Sequence, residues 1–373
     1  MIRQTAQPPE TDGLPLLVTG VPFIDDGCGY YRITLPGSAL NEIYQTRIKY
    51  FFYGRDSMDE MKKSKIILFQ RVLDLEHIKV AKILQSRGIV VGYEIDDNLS
   101  EIPETNVNFR LQFLRREMHD VMAKADFLTV STEPLKEYYS KVIGKAPEKI
   151  FCVPNAIRLA DYKRNVFSSD ARPLRLGYAG SVTHVSDLVQ CIRPLRQVLL
   201  KYRQQVQFVL MGWPAKVVET SEFFQDIPIE LHEEVDIKDY AGALAGLNLD
   251  IAIAPLENNL FNRCKSHIKL LEYGAVGCAV IASDIEPYRF IQDGVHGFLV
   301  RDEKEWLQAL IKLIADAGLR KQMQDNLHHL VKTGHEIGRV AARWLDVFQT
   351  VQHWKPGEAR SASEPLNREP LNQ

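Results

Sequence analysis

An α/β protein built from two doubly wound parallel-sheet domains is predicted by three features of the sequence. Short β-branched apolar runs alternate with amphipathic helical patterns from one end to the other. The runs are continuously apolar, as expected of strands covered on both faces by crossover helices. The 373 residues also exceed what one ordinary core serves, and suit two domains of roughly 150 residues each.

In the first half the strands are read at 16–21, 48–53, 66–70, 89–95, 127–130 and 150–153, with helices at 76–85, 111–124 and 133–141. In the second half strands are read at 174–178, 206–211, 229–231, 250–254, 279–282 and 297–300. The helices there fall at 188–202, 237–245, 268–275 and 306–314. A polar, charged stretch, Arg158–Pro173, divides the halves. The expected organisation is a first domain over 1–165, a second over 172–335 and a helix over 336–353. The tail 355–373, rich in Pro, Glu, Ser, Asn and Arg, reads as disordered. Two such sheets in tandem place a cleft between their carboxyl ends, where open α/β sheets bind ligands.

The composition narrows the function classes. An apolar share of 45% and a charged share of 25% are those of a globular protein. The formal net charge of -2 supplies no field that would draw the chain to nucleic acid. Cys28, Cys152, Cys191, Cys264 and Cys278 are scattered without metal-ligand spacing and read as free thiols in a reducing compartment. Met1–Pro15 lacks an apolar signal core, and no run approaches the roughly 20 apolar residues of a membrane helix. The expectation is a cytoplasmic protein, with peripheral contact at the inner face of a membrane left open. Oligomeric state is not legible.

The most informative segment begins at Asp250. A strand ends in Pro255, a polar loop follows, and a helix is read as starting near Lys265-Ser266. A helix start offers unpaired N–H groups and a positive dipole end to a phosphate, and Arg263 and Lys265 add charge there. Glu272 lies seven positions after Lys265, two helical turns on, hence on the same face. Cations for a diphosphate and a carboxylate for ribose hydroxyls suit a nucleotide. In the first half, the strand Val90–Ile95 runs into Asp96-Asp97, adjacent carboxylates at a cleft-facing strand end that suit orienting an acceptor hydroxyl or accepting its proton. The pair would also suit Mg²⁺; no metal is expected. Gly29, in Gly27-Cys28-Gly29, permits a tight turn after the first strand. Arg32 suits either a phosphate ligand or a structural salt bridge. Trp213 suits either the cleft or the core. Arg110, Arg115, Arg116 and Lys124, interleaved with Phe109, Leu111, Phe113 and Leu114, suit an anionic lipid surface or a solvated helix face.

These segments resemble the retaining group 1 (family 4) glycosyltransferases of GT-B fold. Leu271-Glu272-Tyr273-Gly274-Ala275, Gly277-Cys278-Ala279-Val280-Ile281-Ala282-Ser283-Asp284 and Asp293-Gly294 to Gly297-Phe298-Leu299-Val300 resemble the family's donor-binding region, with Cys278 where the pattern has proline. Val153-Pro154-Asn155-Ala156-Ile157 resembles its Pro-Asn-Gly-Val element, and Gly177-Tyr178-Ala179-Gly180-Ser181 its glycine turn. Thr183-His184, Asn262-Arg263-Cys264-Lys265-Ser266 and Gly29-Tyr30-Tyr31-Arg32 resemble a bacterial surface-polysaccharide subgroup. Resemblance is strong over 150–300 and only outline before that. Two departures stand out. Cys264 occupies the place of a Glu that contacts the donor sugar in the family, and the Arg and Lys that follow the glycine turn are replaced by Ser181 to Asp187.

The resemblance implies transfer of a sugar from a nucleotide diphosphate donor to a hydroxyl of a glycan or lipid-linked acceptor, with retention and without metal or other cofactor. Gly180, Ser181, His184, Arg263, Lys265, Ser266 and Glu272 would hold the donor, with Gly29 and Arg32 assisting. Asp96, Asp97 and Glu272 would serve the reaction. The helix over 336–353 would cross back to the first domain. Two rival readings are a non-catalytic partner subunit, favoured by Cys264, and a nucleotide-sugar epimerase that needs no acceptor.

Overall fold

The computed structural model describes residues 17–22, 26–51, 57–73, 75–165 and 172–357. Leu16, Asp25, Phe52, Tyr53, the middle of the proposed linker (166–171) and most of the proposed tail (358–373) lie outside the described residues.

Each of the twelve strands read from the sequence is present. The first sheet holds β1 (Leu17–Val21), β2 (Arg47–Tyr50), β3 (Ile66–Gln70), β4 (Val90–Ile95), β5 (Phe127–Val130) and β6 (Ile150–Cys152), in the order β2-β1-β3-β4-β5-β6. The second holds β7 (Leu174–Ala179), β8 (Val206–Met211), β9 (Ile229–His232), β10 (Ile251–Ala254), β11 (Ala279–Ser283) and β12 (Phe298–Val300), in the order β12-β11-β10-β7-β8-β9. Every pairing between these strands is parallel. Strands β3, β4, β5, β10 and β11 are buried along their whole length, which is why they read as unbroken apolar runs. The strand order reverses between β1 and β3 in one sheet and between β7 and β10 in the other, so a crevice opens beyond the carboxyl ends of these strands.

The lobes are joined by more than the linker. The helix Ile337–Val351 belongs to the chain's end yet packs on the first-lobe helix Leu35–Tyr44. Val340, Ala341, Trp344, Leu345 and Phe348 share a core with Leu35, Ala39 and Leu40. At the crossing, Ile157 and Glu336 form a parallel bridge, and the Ile337 N–H donates to the Ile157 carbonyl at 2.8 Å. The segment read as one helix over 111–124 instead divides into a 3-10 stretch, Phe109–Leu114, and a helix, Arg115–Lys124. None of the residues 109–114 is buried, so no packing holds that stretch in α geometry.

Candidate active site

The crevice holds two adjoining cavities. The larger, about 580 Å³, is bounded by Tyr31 of the first lobe and by Gly180, Ser181, His184, Tyr240, Lys269 and Glu272 of the second. The smaller, about 230 Å³, reaches Cys28, Asp96 and Asp97 on one side and Lys265 and Ser266 on the other. Gly27, Tyr31, His184, Lys269 and Glu272 border both.

The helix carrying Glu272 begins at Ile268, not near Lys265-Ser266. A separate turn, Leu260–Arg263, precedes it, started by Asn259, whose side chain accepts from the Asn262 N–H. Lys265 and Ser266 therefore lie in the bend between two helical segments, and the two-turn spacing to Glu272 is not what brings them together. They meet because the bend turns over the smaller cavity. Lys265 Nζ lies 3.6 Å from Asp97 Oδ1 across the lobes and 4.4 Å from the centre of the Phe261 ring. Ser266 Oγ accepts from Asn155 Nδ2 at 2.9 Å.

One turn before Glu272 stands Lys269, to which the sequence reading gave no role. Its ammonium donates to the Ala179 carbonyl at 2.5 Å and lies 4.7 Å from the Tyr178 ring centre. Gly180 makes this possible: a Cβ there would fall 2.6 Å from Lys269 Nζ and 2.8 Å from Tyr178 Oη. Burial pushes the Lys269 ammonium down to about 8 against the pull of Glu272. Counting three positions back from Glu272, one helical turn, would have found it.

Glu272 is buried and accepts from Tyr31 Oη at 2.6 Å and Tyr240 Oη at 3.2 Å, one phenol from each lobe. Burial raises its carboxyl above the usual range, while Lys269 and the two phenols oppose the rise. Tyr31 lies in a widened π turn, Tyr30–Thr34, a distortion common at functional sites.

Asp96 and Asp97 stand beyond the end of β4, bound by a cation the sequence reading passed over. Arg71, beyond the end of β3 and in left-handed backbone geometry, donates Nε to Asp96 Oδ1 and Nη2 to Asp97 Oδ2, both at 2.6 Å. Burial works against ionisation of Asp97, but Lys265 and Arg71 outweigh it and hold the carboxyl down to about 2. Such a group orients a hydroxyl better than it takes a proton from one. The Cys28 thiol and both carboxylates offer atoms within 4.8 Å of one another, but Arg71 already supplies the positive charge a metal would bring.

Three expected ligand residues stand apart from the cavities. Arg32 is sealed in the first lobe: it pairs with Glu94 through Nε at 2.7 Å and Nη2 at 3.1 Å, and donates Nη1 to the Val153 carbonyl and Asn155 Oδ1. Trp344 of the crossing helix covers its guanidinium. It is a structural cation, not a phosphate ligand. Gly29 is buried in the first-lobe turn, its N–H capped by Asp26 Oδ1 at 2.9 Å, and it is Gly27 and Cys28 that border the cavity. Arg263 points to Asn258 rather than into either cavity. Trp213 packs in the second-lobe core, edge-on to Phe224. Cys264 is fully buried and joins the first-lobe core, where Asn98 Nδ2 lies 3.7 Å from its sulfur.

Known proteins supply a frame for this geometry. Residues 173–316 match the family model "Glycosyl transferases group 1". A D-inositol 3-phosphate glycosyltransferase from Stackebrandtia nassauensis is 26% identical over 226 residues, 54% of this chain. That matched stretch spans 49% of the relative's own length. Among solved structures, a glycosyltransferase from Rickettsia africae superposes with a TM-score of 0.66 at 12% identity, covering 91% of this chain and 99% of that one. Anabaena HepE in complex with UDP and glucose gives 0.64 at 13%, covering 90% and 100%. WaaG, a glycosyltransferase involved in lipopolysaccharide biosynthesis, gives 0.61 at 12%, covering 89% and 99%. Residues 173–316 thus match the model of the group 1 glycosyl transferases, and the two lobes together take the GT-B fold shared by these solved glycosyltransferases.

Proposed function

We propose that this protein transfers a sugar from a nucleoside diphosphate donor to a hydroxyl of a glycan or lipid-linked acceptor, with retention of anomeric configuration and without a bound metal. The observation that carries this reading is the gathering of Lys265, Lys269 and His184 around the Gly180 turn, with Glu272 beside them, in the crevice between the lobes. Cations held in a partly closed cavity stabilise the charge that develops on a departing diphosphate. Ribose hydroxyls would exchange with the phenols on Glu272. Asp97, with Arg71 behind it, would orient the acceptor in the smaller cavity, and closure of the lobes would exclude water that competes for the sugar.

Calorimetric titration with UDP, GDP and ADP tests the donor site. One of them is expected to bind, and Lys265→Ala to weaken it about tenfold or more. Equal affinity in the variant would place the donor elsewhere. A second reading, a partner subunit that binds donor without turnover, is favoured by Cys264, which puts a buried thiol where the family has a sugar-contacting carboxylate. Donor consumption only when acceptor glycolipid is added rules it out; consumption without any acceptor would instead indicate epimerase or hydrolase chemistry.

The acceptor side supports contact with a membrane. No described helix is long and apolar enough to cross one. Yet Val107, Phe113 and Leu114 are 63%, 69% and 40% exposed, beside exposed Arg110, Arg115 and Arg116. Asn106 Nδ2 donates to the Thr183 carbonyl, so this segment reaches the donor turn itself. Apolar wedges among arginines suit an anionic bilayer. Sedimentation with phosphatidylglycerol vesicles is expected to fall at least tenfold in Val107→Ser/Phe113→Ser, since burying each such side chain contributes roughly 1.5–3 kcal/mol. Equal partitioning of the variant would remove this surface from the reading.

A further inference from the structure

Asp187 carries no motif of its own, and the structure makes it the fixed point of the donor turn. His184 ends the 3-10 turn Val182–His184 that follows Gly180. Its Nδ1 lies 2.7 Å from Asp187 Oδ2. Asp187 is 4% exposed, and its other oxygen accepts from the Glu257 N–H at 2.9 Å and from Asn262 Nδ2 at 2.7 Å. A buried carboxylate that accepts from two further donors stays ionised. Those donors come from the loop after β10, so the position of Asp187 is set by both crossovers that meet at the crevice. The neutral imidazole is thereby held with its proton on Nδ1, and Nε2 is left as the ring nitrogen available to a ligand. His184 borders both cavities.

We propose that His184, oriented by Asp187, is a proton-linked anchor for the donor's diphosphate: it takes up a proton as the nucleotide binds and donates Nε2–H to a phosphate oxygen. The proposal rests on the donor-binding reading above. No covalent step is involved; the proton comes from solvent and returns to it when the nucleotide leaves. The groups facing the imidazole are Asp187 on its own turn, Lys265 and Lys269 from the segment after β10, and Asp97 from the first lobe. In the unliganded protein, burial and the two lysines hold the imidazole below its ordinary range, against the Asp187 hydrogen bond. An arriving diphosphate adds negative charge beside Nε2 and reverses the balance. Binding and protonation then favour each other, and affinity falls as pH rises through the bound-state value.

The test is calorimetry of the full chain with UDP, GDP and ADP from pH 6 to 8, in buffers of different ionisation enthalpy, which reads protons taken up per nucleotide bound. Near pH 7 the wild-type protein is expected to take up about half a proton to one proton more than His184→Gln. The variant should also lose most of the pH slope of affinity and bind about tenfold more weakly at pH 6.5. His184→Arg, a permanent cation, should bind tightly with a flat profile below pH 7, where Lys269 stays charged. Asp187→Asn should reduce the proton uptake while His184 is still present; should that variant fail to fold, the two His184 variants decide alone. A wild-type protein that binds nucleotide with the same proton count as His184→Gln overturns this inference and leaves the donor site standing. Absence of nucleotide binding to the wild-type protein at every pH overturns both.

Discussion

Lys269→Met is expected to lower affinity for a nucleoside diphosphate roughly 100-fold while leaving the unliganded protein as stable as before, or more so. The ammonium sits at the back of the larger cavity, and its one short hydrogen bond, to the Ala179 carbonyl, satisfies only part of its donor capacity. An ordinary lysine titrates near 10.5, and burial brings this one to about 8. Between those values the unfolded chain binds more protons than the folded one, so this group makes stability rise with pH across that window. Below pH 8 the charged form burdens the fold in full. Methionine removes the burden and keeps the aliphatic stem, and Ala179 retains the Tyr273 hydroxyl, 3.4 Å away. A residue whose removal abolishes binding without loss of stability is maintained for its ligand. Calorimetry and thermal unfolding on the same samples check both halves. A fall in melting temperature with nucleotide affinity intact would make Lys269 structural.

Arg32→Met should show the opposite signature: a loss of about 3–5 kcal/mol in stability, with nucleotide affinity changed only through the folded fraction. Arg32 and Glu94 side chains are both 0% exposed. The guanidinium also joins β4 to the Val153–Asn155 segment and lies 5.0 Å from the centre of the Trp344 ring. Losing it strands a buried carboxylate whose remaining partner is the Thr129 hydroxyl. Replacing both members, Arg32→Met with Glu94→Leu, should recover much of the loss, because the cost lies in the unpaired charge rather than in the absent pair. Denaturant titration of the two single variants and the double variant measures this. Full stability in Arg32→Met together with lost donor binding would return Arg32 to the ligand list.

These two residues also show where the sequence is legible. Both are basic residues, and local pattern favours Arg32, which follows Gly29-Tyr30-Tyr31, over Lys269 at the start of an apolar helix. The structure reverses the ranking. A π turn at Tyr30–Thr34 directs Tyr31 to Glu272, and the next residue then faces β4 and Glu94. Lys269, in the first turn of the helix Ile268–Val276, meets the Gly180 turn through its hydrogen bond to the Ala179 carbonyl. The same contrast holds for Arg71, which follows β3 outside any motif, and for Asp187, in the short helix Val185–Leu188.

All twelve strands, the parallel character of both sheets and the cleft-facing end of β4 were determined by the sequence alone, because burial on two faces leaves a continuous apolar signature at each strand. The likeness of the second lobe to the group 1 glycosyl transferases was equally legible, since backbone-constrained glycines and a short helix fix the matching motifs locally. Apart from Lys265 and Lys269, which local spacing around Glu272 can find, which charged groups meet in the crevice was decided only by the tertiary structure. A cation or a hydroxyl is drawn to a carboxylate near it in space, and such pairs join residues as far apart in sequence as Lys265 and Asp97, or Tyr31 and Glu272. Such pairings follow from how two lobes pack, which no local spacing records.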